Sequence, residues 1–497
     1  MVLGLAACCP TPPAATTPGP VTTTLPPAPP PPPAPPPTPA VDWSAAGIDW
    51  TTPPPPLPEV AFAPPVPTEF KLSTGARVLV VENHRLPLVS VRIAVSSAGA
   101  RVDGRQPGLA ALTADLLDEG AGSRDANTLA EELERLGASL TVAAGSDYAQ
   151  VTLDTLAETL TPSLAIAADV LVRPRFAADD VGRVKAEHLA DLELRADQPR
   201  SVAAVVFNKL LFGAHPYGEA VDGTTASVTA LQRADVVRFH RTHYGPATTT
   251  IVVVGDVTVA EAKRQLEAAL QGWKTKVALP RPPAAPIAGA PTLAVVDRPG
   301  APQSVVMMGR LGPNAADPFQ AANDLLNTAI GGSFASRLNT ELREKQGYTY
   351  GIGSAFVRNL WAGTWRATSS IRTDATGPAI KAALAILADA AATPMPAAEL
   401  AKTKALSIRS LPQDFETNAG IAGSYLGLAL DGQPLTYFRD LPARLEAVTS
   451  ADTQARAKAA WSGLSIVVVG DWAVIGADLT ALGLPIVRYD ATGAPLR

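Results

Sequence analysis

The chain has 497 residues, 48 prolines and a formal net charge of −5, with 47 % hydrophobic and 18 % charged residues. That balance excludes a wholly disordered chain and offers no electrostatic footing for nucleic acid. Twenty-four prolines fall in residues 1–67 and 24 in the remaining 430, so a Pro-rich leader precedes a body too large for one hydrophobic core.

The leader opens Met1-Val-Leu-Gly-Leu-Ala-Ala-Cys8-Cys9, and these are the only two cysteines. Leu5-Ala-Ala-Cys8 resembles a bacterial lipobox, although no Lys or Arg precedes Lys71 and a signal peptide needs a basic start. Residues 1–9 therefore read as a truncated lipoprotein-type signal remnant with Cys8 as the lipid site. Residues 10–67 read as a disordered tether rich in Pro, Ala and Thr, favouring extended polyproline II. An anchor and spacer place the chain in the bacterial periplasm, held to the outer membrane through Cys8.

Arg77–Val81 and Leu88–Val95 read as strands, and Gly108–Leu117 as a helix. Thr128-Leu-Ala-Glu131 reads as a capping box. Leu129, Leu133 and Leu136 then share a helical face that ends at Gly137. Leu140–Leu153 alternates as strand, and Thr161-Pro162 reads as a helix start with Thr at the N-cap. The most apolar helix candidate, Ala379–Ala392, is broken by Lys381 and Asp389, so no transmembrane helix is predicted in the body. Ile251-Val-Val-Val-Gly-Asp256 recurs as Ile466-Val-Val-Val-Gly-Asp471, and Val78-Leu-Val-Val-Glu82 more loosely as Leu293-Ala-Val-Val-Asp297. Both pairs are offset by 215 residues, which predicts a duplicated domain. The domain boundaries are then 68–276, a linker over 277–291, 292–486, and a tail over 487–497. Hairpins followed by helices predict an α+β fold of two such domains, each an antiparallel-rich sheet packed with helices.

Leu129–Ser139, Leu211–Gly218, Tyr244-Gly-Pro246, Ile251–Asp256 and Ser336–Gly347, in this order and spacing, resemble the insulinase/pitrilysin family of zinc metallopeptidases. An active member carries an inverted zinc motif, H-x-x-E-H, on an early helix, with a third ligand about 75 residues later. Here the two His positions hold Ala111 and Asp115, and the Glu position holds Ala114. Asp191 or Glu193 aligns with the third ligand. An alanine neither ligates nor moves a proton, so no metal site and no cofactor is expected in this chain. His240 and His243 read as surface or capping residues, His215 as loop structure, and His84 and His188 as lone histidines without a role.

The resemblance further implies that Arg343 binds substrate backbone carbonyls and that Tyr350, seven residues on, helps to stabilise oxyanion charge. Gly347 would end the helix between them, and Tyr348 and Tyr350 would share a strand face. Gly331-Gly332-Ser333 reads as a turn, with its backbone amides as an alternative peptide contact. In one bacterial branch, a chain lacking the zinc motif but keeping the Arg/Tyr pair closes like a clamshell on a zinc-bearing partner. The implied function is the non-catalytic, substrate-binding subunit of such a heterodimer, with zinc in the partner. An extended peptide would lie along the edge segment Ala138–Ala144. The alternative is a structural or peptide-holding core-type subunit with no role in proteolysis.

Overall fold

A computed structural model describes residues 62–496; Cys8, the lipobox and most of the leader lie outside these. Two six-stranded sheets form the frame. The first contains β1 (Thr68–Lys71), β2 (Arg77–Glu82), β3 (Leu88–Val95), β4 (Ser139–Ala144), β5 (Ala149–Leu156) and β6 (Thr249–Gly255), in the order β1-β2-β6-β3-β5-β4. The second contains β7 (Leu293–Asp297), β8 (Gln303–Gly312), β9 (Thr349–Arg358), β10 (Gly363–Arg372), β11 (Ser465–Gly470) and β12 (Ile486–Arg488), in the order β12-β7-β11-β8-β10-β9. Five strands correspond one for one. The sixth differs, since β1 runs antiparallel to β2 while β12 runs parallel to β7.

Val78 pairs with Ile251, and Leu293 pairs with Ile466. These partners are related by the 215-residue offset of the sequence repeat, so the duplication extends to strand register. The fold is α+β, with antiparallel pairs predominating in both sheets.

Both faces of each sheet are covered. In the first half lie α1 (Leu109–Asp115), α2 (Ala126–Arg135), α3 (Leu160–Val172), α4 (Ala178–Ala196) and α5 (Pro199–Phe212). In the second lie α6 (Gln320–Asn327), α7 (Thr376–Ala392), α8 (Asn418–Leu430), α9 (Tyr437–Ala447) and α10 (Ser450–Trp461). Val78, Val80, Ile251 and Val253 pack with Leu112 of α1 and Leu164 of α3. The alternate residues Leu79, Val81, Val252 and Val254 pack with Ile421, Tyr425 and Leu426 of α8. Reciprocally, α5 leaves its own half. Its Val202, Val206 and Phe207 pack on Val296, Val305, Met307 and Val467 of the second sheet. Gly309 of β8 makes this approach possible, because a Cβ there would meet the Phe207 ring at 2.8 Å. Strands covered on both faces read as continuous apolar runs, as β6 and β11 do.

The halves also meet where two equivalent hairpin turns abut. Asp147, in the β4–β5 turn, accepts from Arg101 Nη1 at 2.6 Å, from the Tyr217 hydroxyl, and from the backbone N–H of Leu360 in the β9–β10 turn at 2.9 Å. The Tyr217 oxygen accepts from Trp361 N–H at 3.1 Å. The Arg101 guanidinium lies over the Trp361 ring at 4.7 Å, and its side chain is 1 % exposed.

Several local expectations are corrected. The cap of α2 is Asp125, whose carboxylate accepts from Thr128 N–H at 2.8 Å; Thr128 lies inside the helix. A carboxylate caps as well as a hydroxyl, and the earlier competent residue starts the turn. The run 140–153 is two strands, β4 and β5, reversed by the turn that carries Asp147. Helix α3 begins at Leu160, one residue after Thr159, so Thr161 lies within it and Pro162 sits in its first turn, where a missing N–H costs nothing. Helix α1 is shorter than expected, starting after Gly108 and ending at Asp115. Helix α7, with the turn before it, has the length and hydropathy of a membrane span, but Ala379, Ile380, Ala383 and Leu387 pack inside this chain's own core.

Candidate functional site

Helix α1 carries the altered zinc motif. Its N-terminus is capped from upstream, where the Asp103 carboxyl accepts from Gly108 N–H and Ala110 N–H, both at 2.9 Å. Burial pushes that carboxyl up to about 7, while the backbone amides of Ala110, Gly108 and Leu109 pull the other way. Ala111 and Ala114 are buried. Asp115 faces His188 of α4, a residue given no role from the sequence, with Nδ1 3.0 Å from its carboxylate. The Nε2 of His188 lies 2.9 Å from the carbonyl oxygen of Asp222. Spacing along α4 does carry a clue, because His188, Asp191 and Arg195 fall on one helical face. They line a cleft of about 260 Å³ with Asp115, Glu119 and Asp222. Glu193 is exposed and does not line it, so of the two aligned carboxylates only Asp191 faces the altered motif.

Four of the five acids that line this cleft, all but Asp191, are paired. Arg195 pairs with Asp222, Arg183 with Glu119 and Glu187, and His188 with Asp115. Among the described residues, no group of three or more His, Cys, Asp or Glu side chains is placed to hold a metal ion. A catalytic zinc needs three converging donors and an open position. Two alanines and an acid held by a histidine do not fit it. The other histidines serve locally. His240 contacts the carbonyl oxygen of Leu171 in the last turn of α3 at 3.0 Å, a capping role. His243 stacks near Phe239, His215 accepts from Tyr217 N–H, and exposed His84 pairs with Asp256.

The second half presents the Arg/Tyr pair. Helix α6 runs into a π-helical turn over Thr328–Gly332. The chain then restarts as a helix capped by Ser336 and passes into a second π turn, Thr340–Lys345. The extra residue shows in the bond from Gln346 N–H back to Glu341 O. Each inserted residue rotates the rest of the helix by about 100°, which resets the direction of Arg343. Gly347 ends the segment at φ +61°, a conformation that disfavours other residues. Leu338 and Leu342 are fully buried, and Arg337 is held by Glu399 and Asp389. The Arg343 guanidinium lies over the Phe334 ring at 4.3 Å. Phe334 is 70 % exposed and Tyr350 91 % exposed.

Tyr348 and Tyr350 do not share a face. Ile352 opposes Ser369 and Thr349 opposes Ile371, so β9 carries one extra residue there. Such a bulge breaks the alternation and re-aims a side chain. Tyr348 packs on the core while Tyr350 projects outward.

Two asparagines, not singled out in the sequence, hold this strand. Asn339 accepts from Ile352 N–H at 3.0 Å and donates to Ile352 O at 2.9 Å and Ser333 O at 3.2 Å. Asn327 donates to Ser354 O at 2.9 Å and accepts from Ser354 Oγ at 2.8 Å and Trp365 Nε1 at 3.1 Å. The Gly331–Ser333 turn is thus pinned to β9. The amides also fill the outer edge of β9 at Ile352 and Ser354. Strand β4 lies at the equivalent edge of the first sheet, pairs only with β5, and has no such amide on its outer side among the described residues.

Comparison with known proteins places this architecture. Residues 77–222 match the family model described as insulinase (peptidase family M16), and residues 230–407 match the one described as peptidase M16 inactive domain. An uncharacterized zinc protease of Mycobacterium tuberculosis is 30 % identical over 294 residues, 58 % of this chain and 66 % of that protein. The chain thus spans slightly less than two thirds of such relatives. A non-peptidase homolog of Helicobacter pylori is 28 % identical over 39 % of this chain and 45 % of its own length. The peptidase M16 inactive domain structure from Pseudomonas fluorescens superposes with a TM-score of 0.77 at 28 % identity, covering 82 % of this chain and 98 % of that one.

Proposed function

Since the chain belongs to the insulinase family, peptidase family M16, we propose that it is the non-catalytic, substrate-binding subunit of a two-chain zinc peptidase. One observation carries the reading. The motif helix has alanines where a ligand and a base are needed, while Arg343 and Tyr350 stand at the surface of the other half, with Tyr350 almost wholly exposed. Such an aromatic residue does nothing for the stability of its own chain and is free to act on a ligand. The partner supplies zinc, polarising the scissile carbonyl and activating water. This chain supplies an open strand edge, β4, for an extended unfolded peptide, Arg343 for backbone carbonyls and the Tyr350 hydroxyl for developing oxyanion charge. The complex works in the periplasm, with Cys8 as lipid anchor to the outer membrane and the Pro-rich leader as spacer.

The test is reconstitution with an M16 paralogue that carries H-x-x-E-H. This chain alone cleaves no peptide, and the mixture does so in a chelator-sensitive way. Arg343→Ala raises KM, and Tyr350→Phe lowers kcat by about 100- to 1,000-fold. Chelator-sensitive cleavage by this chain alone refutes the reading. Unchanged turnover of both variants refutes the residue roles. A mixture without activity, together with recovery of this chain in a non-peptidase assembly, establishes a structural subunit instead.

A further inference from the structure

The base of the Pro-rich leader is gripped by the second half of the body. Residues 62–67 read Phe-Ala-Pro-Pro-Val-Pro and form neither helix nor strand. Their burial has a period of three: Pro64 and Pro67 are buried, while Ala63, Pro65 and Val66 are exposed. Three residues per turn is the repeat of the polyproline II helix. Pro64-x-x-Pro67 therefore turns one face of such a helix toward the body.

The receiving surface is aromatic. Phe62 meets the edge of Phe415 with ring centroids 5.2 Å apart. Phe415 packs edge-on against Tyr425 at 5.9 Å and Phe438 at 5.2 Å, and these two pack on each other at 5.6 Å. Phe415 closes the 3-10 turn Leu411–Phe415, Tyr425 belongs to α8 and Phe438 to α9. The Tyr425 hydroxyl donates to the carbonyl oxygen of Pro65. Proline has no N–H, so its carbonyl is the one backbone group a receptor can bond. A rigid aromatic shelf with a hydroxyl donor aimed at that carbonyl is the chemistry by which PxxP segments are recognised. The preformed extended helix loses little entropy on docking.

We propose that Phe415, Tyr425 and Phe438 form a polyproline-type peptide-binding site whose resident ligand is this chain's own Phe62–Pro67 segment. The segment is a strap. Its aromatic shelf belongs to the second half, while the next residues, Thr68–Lys71, form β1 on the first sheet. The described chain thus touches this shelf at Phe62 before it enters the first sheet at Thr68. The ligand class is a proline-rich extended peptide, and the proposal is independent of the peptidase reading.

The experiment uses the full-length chain. Replacing Phe62, Pro64 and Pro67 together by Gly empties the shelf, and a fluorescent peptide of residues 60–68 then binds in trans. On that background Phe415→Ala weakens binding about 10-fold or more, and the conservative Tyr425→Phe, which removes one hydrogen bond, about 3- to 10-fold. A peptide with Ala at positions 64 and 67 binds at least 10-fold more weakly. Unchanged binding in Tyr425→Phe, or equal binding of the two peptides, overturns the proposal.

Discussion

Asp147→Ala isolates the joint between the halves. The substitution removes the carboxylate paired with Arg101 and strands a guanidinium that is 1 % exposed. Removing one partner of a buried ion pair costs about 3–5 kcal/mol, because the remaining charge stays out of water. The Tyr217 hydroxyl and the Leu360 N–H lose their acceptor as well, each costing about 1–3 kcal/mol in isolation. These losses share one carboxylate and do not add. Arg101 keeps Ser96 O and the Trp361 ring, which moderates the cost, so the net expectation is about 3–5 kcal/mol. The control is Asp374→Ala, whose partner Arg372 is 57 % exposed and whose pair contributes at most about 1 kcal/mol. Urea unfolding monitored by circular dichroism measures both. Because α5 and α8 still cover each other's sheets in the variant, unfolding stays a single transition with an unchanged m-value, and the loss appears as a lower midpoint. A loss under about 1 kcal/mol would refute the reasoning.

Three further outcomes are expected. Asn339→Ala exposes the Ile352 amide to exchange about 5- to 10-fold faster, whereas Asn339→Asp, which keeps the acceptor, leaves it protected; hydrogen-exchange mass spectrometry reads both. Burial raises the carboxyls of Asp103 to about 7, and of Asp118 and Asp431 to about 6, from an ordinary 3.8. A carboxyl that holds its proton more tightly when folded supports the fold at low pH, and that support is lost as pH rises through its folded value. His215, His240 and His243, lowered by desolvation, act in the opposite sense, so the test is the variant: Asp103→Asn shifts the difference in melting temperature between pH 5.5 and 7.5 in favour of pH 7.5, by the equivalent of about 1–2 kcal/mol. Chelator or added zinc shifts the melting temperature of the isolated chain by less than about 1 °C in calorimetry, since a bound metal would raise it by mass action.

The duplicated register was legible because Ile251–Asp256 and Ile466–Asp471 are apolar runs from central strands, and such runs repeat when a domain is copied. Arg343 and Tyr350 were legible as a spacing along the chain. Their presentation was not. The π turn that aims Arg343 adds one residue to a helix whose apolar pattern looks ordinary. The bulge that turns Tyr350 away from Tyr348 depends on β10, its partner strand. His188 was missed for a related reason: its meaning lies in Asp115, 73 residues away, and its helical spacing with Asp191 and Arg195 gains a meaning only once α1 lies beside α4. Asn327 and Asn339 read as ordinary polar helix residues until β9 lies beside them. The α2 cap failed more simply, as two competent residues lay three apart and the earlier one was used.

The exchange of α5 and α8 bears on how such a chain arose. Each half on its own leaves an apolar sheet face bare: Leu79, Val81, Val252 and Val254 in one, Val296, Val305, Met307 and Val467 in the other. A primordial single-length unit would have needed a second copy to lend it a helix, a domain-swapped homodimer with two-fold symmetry. Gene fusion through residues 277–291 would convert that dimer into one polypeptide and free its two copies to diverge, one keeping a motif helix and the other an Arg/Tyr surface. The same exchange means that neither half is an inheritable module, so recombination at the linker yields fragments that must find each other to fold.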